Sequence, residues 1–418
     1  MGDPRRLRPG DRQLVAILRQ HGELRRSQLA RLSGLPRSTI TDALTRLQRS
    51  GIVVERPIPT AAGTRTGRPP KLLALAAPSG FVGAITLTHG TLQAAVLGFD
   101  GTVHGRRTAA AYVHDLADGI VEPGLALLDQ ALREISSTRN ALTCAVVGLP
   151  LPVIPGRGLG GPAPSHAASQ RLRLRFRPVP TWAHTDPSID LSQRLGVPAW
   201  LENDANLGAL GEADYGAAAG MTSFIYIKVV QGIGAGLILD GRLYRGTNGL
   251  AGELAHIHVE DDGAVCGCGG RGCLATTLST LQLVDLIRAV HPGTATMADV
   301  LSLAADGDAG VLRLLRDLGR AIGRSLADFC VYVAPDGIVL DGLLQNAGSP
   351  VIDGIREMLN LYAPPAVGAQ LRVVVGMLGN QAELQGAAAL ARREQFGQEL
   401  HRVPRADQAP TRLSGPIA

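Results

Sequence analysis

The stretch HIHVEDDGAVCGCGGRGC, residues 256–273, is the part of the sequence that decides the fold. Its eighteen positions hold three of the five cysteines of a 418-residue chain, together with two histidines and five glycines. Such a density of thiols and imidazoles is typical of a disulfide-linked loop, a redox centre or a metal site. The spacing of the cysteines and the rest of the sequence distinguish between these interpretations.

The spacing favours a metal site. Cys266, Cys268 and Cys273 form the pattern C-x-C-x4-C, and His256 lies ten residues before the first of them. Cysteines separated by one residue rarely pair in a disulfide, and the glycines between them allow tight turns. Three thiolates and one imidazole complete a tetrahedral zinc site with no position left for water, so we expect one structural zinc ion. His258 is a competing imidazole, and the spacing alone leaves that choice open.

The composition is that of a globular α/β protein. Apolar residues make up 45% of the chain and aromatic residues 3%, with 52 glycines. The N-terminus is charged and lacks the apolar core of a signal peptide. The longest apolar run, residues 223–241, carries Lys228 and several glycines, which makes it too polar for a membrane span. We therefore expect a cytoplasmic protein with reduced thiols and no membrane association, which disfavours the disulfide interpretation.

Positive charge is concentrated at the N-terminal end. Residues 1–75 hold fifteen of the 41 lysines and arginines and five of the 36 acidic residues, a net charge of +10. The remainder carries a net charge of −5. A basic head on a mildly acidic body indicates that the head binds a polyanion.

Three short helices are predicted in this head. The apolar residues expected to face inward are Leu14, Ile17 and Leu18 in the first, Leu29 and Leu32 in the second, and Ile40, Leu44 and Leu47 in the third. Ser27 is the expected N-cap of the second helix, and Gly34 provides the turn that follows it. Helix, short glycine turn, helix is the helix-turn-helix pattern. The start of its second helix faces the major groove, and here that start carries Arg37, Ser38, Thr39 and Thr41.

A wing is predicted directly after the third helix. Residues 52–57 and 69–75 have the pattern of two strands around an arginine-containing loop, in which Arg65 and Arg68 are candidates for contacts with the minor groove or flanking phosphates. The alternative is a small helical protein-interaction module with a solvated basic surface. The wing, the polar helix start and the local charge together favour binding of double-stranded DNA.

After Pro78 the pattern changes to strands alternating with helices. A hairpin is predicted from residue 80 to about 103, a helix over about 115–138 and a buried strand over 143–152. A second set of strands follows, ending near residues 336–345 and 371–378. Such a repeat favours two α/β lobes around a cleft.

Three segments carry a resemblance to a known family. LENDANLGALGE (201–212), GLAGELAHIHV (249–259) and CGCGGRGCL (266–274), in this order and spacing, resemble the ROK family of repressors, open reading frames and sugar kinases. The resemblance covers about residues 78–400 and implies the two-lobed, actin-like fold of sugar kinases and ATPases. With a winged helix in front, the chain is similar to the transcriptional-regulator branch, which includes the xylose and N-acetylglucosamine repressors.

The resemblance also implies roles for individual residues. The family's zinc ligands match His256, Cys266, Cys268 and Cys273, and its sugar contacts match Asn203, Asp204, Glu253 and His256. Asp204 has the position of the kinases' catalytic aspartate. Where the family usually has a sugar-contacting glutamate after the last cysteine, this chain has Ala275, which puts the identity of the bound sugar in doubt.

Both phosphate-binding motifs of the kinases are degenerate in this chain. At the Asp, Gly, Gly and Thr positions of the first motif stand Thr86, Thr88, His89 and Gly90. The second motif, usually Gly-Thr-Gly, reads Val-Gln-Gly at residues 230–232. Phosphoryl transfer needs backbone amides around the phosphates and a carboxylate that organises Mg²⁺, so we expect no kinase activity and no catalytic residue.

The sequence therefore predicts a winged helix-turn-helix domain over residues 1–77, a ROK-type effector-binding domain over 78–400 and a flexible tail over 401–418. We expect a repressor of carbohydrate-metabolism genes that binds an operator as a homodimer or homotetramer and is controlled by a sugar or sugar-derived effector. The alternatives are a sugar kinase with a DNA-binding head and a repressor that answers to a protein partner.

Overall fold

The chain is represented by a computed structural model. It describes residues 8–21, 24–50, 52–57, 71–75, 80–88, 90–112, 116, 119–154, 158–159, 186–230, 232–277, 280–342 and 349–395. These residues belong to two compact units, Met1–Pro78 with Arg392–Ala418, and Ser79–Ala391. No helix of the described part of the chain is long and apolar enough to cross a membrane.

The first unit is a three-helix head with a small sheet. Its elements are α1 (Pro9–His21), β1 (Leu24–Arg25), α2 (Arg26–Ser33), α3 (Arg37–Arg49), β2 (Val53–Pro57) and β3 (Lys71–Leu75). The strands are antiparallel in the order β1-β3-β2, which is the sheet of a winged helix. The buried Asp11 accepts hydrogen bonds from Arg46 Nη2 at 2.6 Å and Nε at 3.2 Å, and this pair connects α1 to α3.

Two details of the head differ from expectation. Helix α2 begins at Arg26, so Ser27 lies inside it; the N-cap is Arg25, whose backbone N–H donates to Gln28 Oε1 at 2.9 Å. The glutamine provides the capping contact one turn into the helix, which makes a serine cap unnecessary. Leu32 is 40% exposed, because Leu29 and Ser33 form the buried line of this short helix. The other predicted inward residues of the head are buried.

The second unit contains two five-stranded sheets built in the same way. The strands of the first are β4 (Phe81–Thr88), β5 (Gly90–Leu97), β6 (Val103–Ala111), β7 (Leu142–Leu149) and β10 (Ala199–Asn203), with the short pair β8 (Val153–Ile154) and β9 (Gly158–Leu159) outside it. The strands of the second are β11 (Phe224–Val229), β12 (Ile233–Leu239), β13 (Arg242–Tyr244), β14 (Gly337–Gly342) and β15 (Arg372–Val375). The orders β6-β5-β4-β7-β10 and β13-β12-β11-β14-β15 are the same order of strands, an antiparallel meander followed by two parallel strands. This duplication confirms the two α/β lobes that the repeat of strands and helices predicted, and it agrees with the actin-like fold that the family resemblance implies.

The helices of this unit cover both faces of the sheets. They are α4 (Val121–Glu134), α5 (Pro187–Leu195), α6 (Asp204–Tyr215), α7 (Leu274–Thr277), α8 (Thr280–Arg288), α9 (Met297–Ala305), α10 (Ala309–Val333), α11 (Ser349–Tyr362), α12 (Pro365–Gly368) and α13 (Ala382–Gln395). Helix α4 is shorter than the segment 115–138 predicted for it. It ends before Ser136, whose φ of 52° is incompatible with a continuing helix.

Helices α6 and α13 lie between the two sheets. Their apolar residues form one buried cluster with the inner faces of β4, β5 and β7 on one side and of β11 and β14 on the other. Two glycines allow the close approach of these helices: a Cβ at Gly386 would lie 1.8 Å from Leu207 O, and one at Gly211 would lie 2.3 Å from Ala382 O. The first turns of both helices therefore lie at the junction of the lobes.

Candidate functional site

The start of α3 presents the polar side chains that were predicted to contact DNA. Arg37, Ser38 and Thr41 are exposed, and Thr39 is half-buried. The Thr41 hydroxyl donates to Arg37 O at 2.8 Å and accepts from Arg26 Nη2 at 2.7 Å. Arg26, the first residue of α2, thus adds a guanidinium to this surface. The prediction of the contacts had missed it, although it lies in the basic head.

The two arginines predicted in the wing, Arg65 and Arg68, lie outside the described residues. The strands that flank their loop pair as expected, with Val53 opposite Leu75 and Pro57 opposite Lys71. The loop therefore connects the ends of an antiparallel ribbon that follows α3 directly in the chain.

The structure brings His256, Cys266, Cys268 and Cys273 together in one cluster, called the cysteine cluster below. One ligand atom from each lies within 4.8 Å of all the others. Cys266 Sγ is 3.4 Å from His256 Nδ1, and Cys268 Sγ is 3.6 Å from Cys273 Sγ. Zinc bonds of about 2.3 Å to sulfur and about 2.0 Å to nitrogen at tetrahedral angles place sulfur and nitrogen about 3.5 Å apart and two sulfurs about 3.8 Å apart. The donor set and its spacing therefore fit a zinc ion.

Backbone contacts within the loop hold the cluster together. Val259 N donates to Gly272 O at 2.8 Å, and Cys266 N donates to Gly270 O at 2.9 Å. Gly272 has a φ of 64°, and a Cβ there would lie 1.7 Å from Glu260 O. Only glycine fits at this position, immediately before the last cysteine.

The electrostatics of the cluster favour a bound cation. Burial, together with the neighbouring thiols of Cys268 and Cys266, raises the pKa of the Cys273 thiol to about 12. Burial also lowers the pKa of His256, which keeps the imidazole neutral, as a metal ligand must be. Three thiolates this close together are unfavourable without a positive charge between them, and a zinc ion supplies that charge.

The competing imidazole is not part of the cluster. The side chain of His258 is 55% exposed, and its Nε2 lies 3.7 Å from Asp261 Oδ1. Within the described ranges, the cysteine cluster is the only group of three or more histidine, cysteine or carboxylate side chains whose ligand atoms come this close.

The predicted sugar-contacting residues meet where β10 ends and α6 begins. Asn203 is the N-cap of α6: its Oδ1 accepts from Asn206 N at 3.1 Å, and its Nδ2 donates to Leu151 O at 3.2 Å. Asp204 follows as the first residue of the helix, and its Oδ1 accepts from Ala205 N at 2.9 Å. These contacts fix both side chains at the helix N-terminus, where negative charge is favourable.

Glu253 links this group to the cysteine cluster. Burial, with a contribution from the charge of Asp204, raises the pKa of Glu253 above its ordinary value. Its Oε2 lies 3.7 Å from His256 Nε2, so the imidazole has the carboxylate on one side and Cys266 on the other. The preceding Gly252 has a φ of 93°, and a Cβ there would lie 2.3 Å from Ala235 O. The glycine brings this loop directly against β12.

A buried lysine also reaches Asp204, and the prediction had missed it. Lys228 Nζ donates to Asp204 Oδ2 at 3.3 Å and makes a closer ion pair with Glu383 Oε1, and its side chain is 10% exposed. Burial acts to lower the pKa of Lys228, but the two carboxylates outweigh it and hold the pKa above its ordinary value. The signal in the sequence was a lysine inside the apolar strand FIYIKV, in a chain with one other lysine, Lys71.

Two residues at the positions of the first phosphate motif, Thr86 and Thr88, lie on β4. Thr86 is fully buried opposite Gln93 on the neighbouring strand, and among the described residues its hydroxyl has no hydrogen-bond partner. Thr88 pairs with Thr91 at the end of the hairpin. His89 of this motif and Gln231 of the second lie outside the described residues.

Comparison with known proteins bears on both units. A model of the ROK family matches residues 92–394, and a winged helix-turn-helix DNA-binding model matches residues 10–54. The chain is 24% identical over 377 residues to the xylose repressor of Bacillus spizizenii, covering 90% of this chain and 93% of that protein. It is 32% identical over 256 residues to the glucokinase of Streptomyces coelicolor, covering 56% of this chain and 79% of that protein.

Solved structures share the fold. A ROK family transcriptional regulator, a homolog of the E. coli MLC protein, matches with a TM-score of 0.73 at 23% identity, over 94% of this chain and 98% of that chain. A ROK family glucokinase from Streptomyces griseus, in complex with glucose and AMPPNP, matches with a TM-score of 0.61 at 26% identity, over 75% and 99%. Because the family model spans most of the chain and includes the cysteine cluster and the Asp204 region, the protein belongs to the ROK family.

Proposed function

We propose that this chain is a DNA-binding transcriptional repressor of carbohydrate-metabolism genes, in which the ROK body binds a sugar or sugar-derived effector. One observation carries the proposal: a winged helix-turn-helix and a ROK body stand in one chain that aligns along 90% of its length with a xylose repressor. A DNA-binding repressor works in the cytoplasm, where its operator lies.

The head supplies the operator contacts. The exposed start of α3 carries Arg37, Ser38 and Thr41, with the Arg26 guanidinium beside them. In a winged helix such residues contact base edges and phosphates of the major groove. The wing arginines Arg65 and Arg68 complete the footprint on the minor groove or the flanking phosphates. A homodimer or homotetramer presents two heads to a pseudo-palindromic operator.

The body supplies the effector site. Asn203, Asp204, Glu253 and His256 offer an amide, two carboxylates and an imidazole, which are the groups that bind carbohydrate hydroxyls. The cysteine cluster would hold a zinc ion, which would fix the imidazole of His256 next to Glu253. Four protein ligands would leave no open position, so this zinc ion would be structural. Effector binding shifts the population of lobe arrangements, and the heads then fit the operator differently.

Catalysis is not part of the proposal. The carboxylate of the first phosphate motif is replaced by the buried Thr86, so the group that would organise Mg²⁺ is missing there. We therefore assign Asp204 the role of a hydrogen-bond acceptor for an effector hydroxyl.

The test is fluorescence anisotropy of the zinc-loaded chain on DNA from its own upstream region, at fixed salt, with a panel of sugars and sugar phosphates. We expect tight binding that one class of compound shifts. Thr41→Ala should weaken operator binding about tenfold, because it removes one contact worth about 1–2 kcal/mol. Thr45→Ala, one turn along the same helix face, is the matched control. DNA binding indistinguishable from that of random duplex would reject the proposal.

A sugar kinase carrying a DNA-binding head is the second candidate, favoured by the retained Asp204 and by the 32% identity to a glucokinase. A coupled assay of ADP release decides between them. Release that depends on a sugar and disappears in Asp204→Asn would establish the kinase. We expect no sugar-dependent release of ADP from the parent or from Asp204→Asn.

A further inference from the structure

Lys228 lies at the junction of the two lobes and joins three elements. It is the fifth residue of β11, in the second sheet, and its partners Asp204 and Glu383 lie in the first turns of α6 and α13. Both carboxylates reach the same ammonium group, so two acidic side chains from different helices face one point. All three side chains are about nine-tenths buried or more.

The surroundings of this ion-paired group are acidic. On the same strand, the Tyr226 hydroxyl donates to Asp341 Oδ2 at 2.6 Å. Burial raises the pKa of Asp341, and the charges of Glu383 and Glu212 add to that effect. Glu212 is itself fully buried, with both oxygens accepting from backbone N–H groups. Lys228 therefore supplies positive charge to a region where carboxylates accumulate.

A phosphoryl-transfer site needs a cation near its catalytic carboxylate. Such a site places a divalent metal, bound to the nucleotide phosphates, near the carboxylate that accepts the proton of the attacking hydroxyl. Magnesium is typically held by one or two carboxylates together with water and phosphate oxygens. Here the ammonium of Lys228 on β11 already lies between the two carboxylates. Because it belongs to the chain, it is present whether or not a nucleotide is bound.

We propose that the Lys228 ammonium is a built-in cation that takes the place of a metal-bound nucleotide beside Asp204, so that the body binds its effector without magnesium or ATP. One oxygen of Asp204 accepts from Lys228 and the other from Ala205 N. The remaining lone pairs accept hydrogen bonds from an effector hydroxyl. The proposal rests on the proposed function only in assigning Asp204 to the effector.

The test measures binding of Mn²⁺, by electron paramagnetic resonance and calorimetry, to the zinc-loaded full chain in magnesium-free buffer. The variant is Lys228→Met, whose unbranched side chain is one atom shorter and carries no charge. Lys71→Met is the matched control, since Lys71 is the only other lysine and its side chain is 42% exposed. We expect the parent and the control to show no stoichiometric Mn²⁺ site. We expect Lys228→Met to bind one Mn²⁺ at least tenfold more tightly than the parent, and to gain thermal stability from Mg²⁺.

A double variant, Lys228→Met with Glu383→Gln, identifies the ligands. It leaves Asp204 as the single carboxylate of the pair, so it should lose the Mn²⁺ site. In magnesium-free buffer its melting temperature should be higher than that of Lys228→Met, because one of the two unpaired carboxylates is gone. If Lys228→Met does not fold on its own, it is refolded with and without Mn²⁺, and recovery in Mn²⁺ alone supports the proposal.

Three outcomes overturn the proposal. They are a Mn²⁺ site of equal strength in the parent, saturable binding of magnesium AMPPNP to the parent, and a Lys228→Met chain that neither binds Mn²⁺ nor is stabilised by it. Operator binding is measured on the same preparations. A failure of the proposed function therefore appears in that measurement and not in the Mn²⁺ titration.

Discussion

At the scale of single residues, Asp341 is a carboxylate whose surroundings oppose its charge. It is buried at the end of β14, and it accepts hydrogen bonds from the Tyr226 hydroxyl and from Gly342 N, each at 2.6 Å. These bonds favour the ionised form, but burial is the larger effect and the pKa is raised. The folded chain therefore binds a proton at Asp341 more tightly than the unfolded chain does.

The raised pKa of Asp341 determines how this residue makes the stability depend on pH. The contribution of Asp341 to the free energy of unfolding is fully present below the unfolded pKa of 3.8. It is lost as the pH rises through the raised folded pKa. Asp341→Asn removes the charge and still allows hydrogen bonds to Tyr226 and Gly342. Urea unfolding should show the variant gaining stability relative to the parent as the pH rises from the unfolded pKa of 3.8 through the raised folded value. A difference that stays constant over this range would contradict the assignment.

At the scale of elements, the contact between α6 and α13 depends on the absence of a side chain. Gly386→Ala places a methyl group 1.8 Å from Leu207 O, so the helices must separate. We expect a loss of about 2–3 kcal/mol in the free energy of unfolding. Gly368→Ala is the matched control, because its Cβ would meet only Asn360 Oδ1, at 3.5 Å. Equal unfolding midpoints for the two variants would show that the contact is not tight.

The loop that carries the cysteine cluster, residues 256–273, is a second element, and we expect its order to depend on a bound zinc ion. In Cys268→Ser and in His256→Ala, zinc content measured by mass spectrometry should fall from about one ion per chain to well below it. The melting temperature should fall with it, because the free energy of metal binding contributes to folding. His258→Ala, two residues from a ligand but outside the cluster, should keep its zinc and its stability. Loss of zinc in His258→Ala would mean that the cluster uses the other imidazole.

At the scale of the whole molecule, the basic head should determine how operator binding depends on salt. Removing a phosphate contact reduces the slope of log affinity against log salt by about 1. We expect this from Arg37→Ala, an exposed residue at the start of α3. The control is Arg194→Ala, an exposed arginine of the body that pairs with Glu122 and Asp190. An unchanged slope for Arg37→Ala would remove this residue from the interface with DNA.

The sequence predicted the features that depend on local patterns. The head, the hairpins and the cysteine cluster each follow from spacing within some twenty residues, and the structure places them where the spacing indicated. The extra residues beside Asp204 could not be found in this way. Glu383 lies 155 positions after Lys228, and only the folding of both lobes around α6 and α13 brings the two together. The predicted N-cap of α2 was wrong because Gln28 makes the capping contact with Arg25 N, so that the helix begins before Ser27.

The equivalence of the two sheets has a consequence for the balance of charge inside the molecule. Helix α6 follows the fifth strand of one set and α13 follows the fifth strand of the other, so Asp204 and Glu383 occupy corresponding places in two halves of the same design. Each half thus brings one acid to the junction, and the two negative charges repel each other. The lysine between them comes from a strand of the second sheet. One half therefore carries the counter-charge for both.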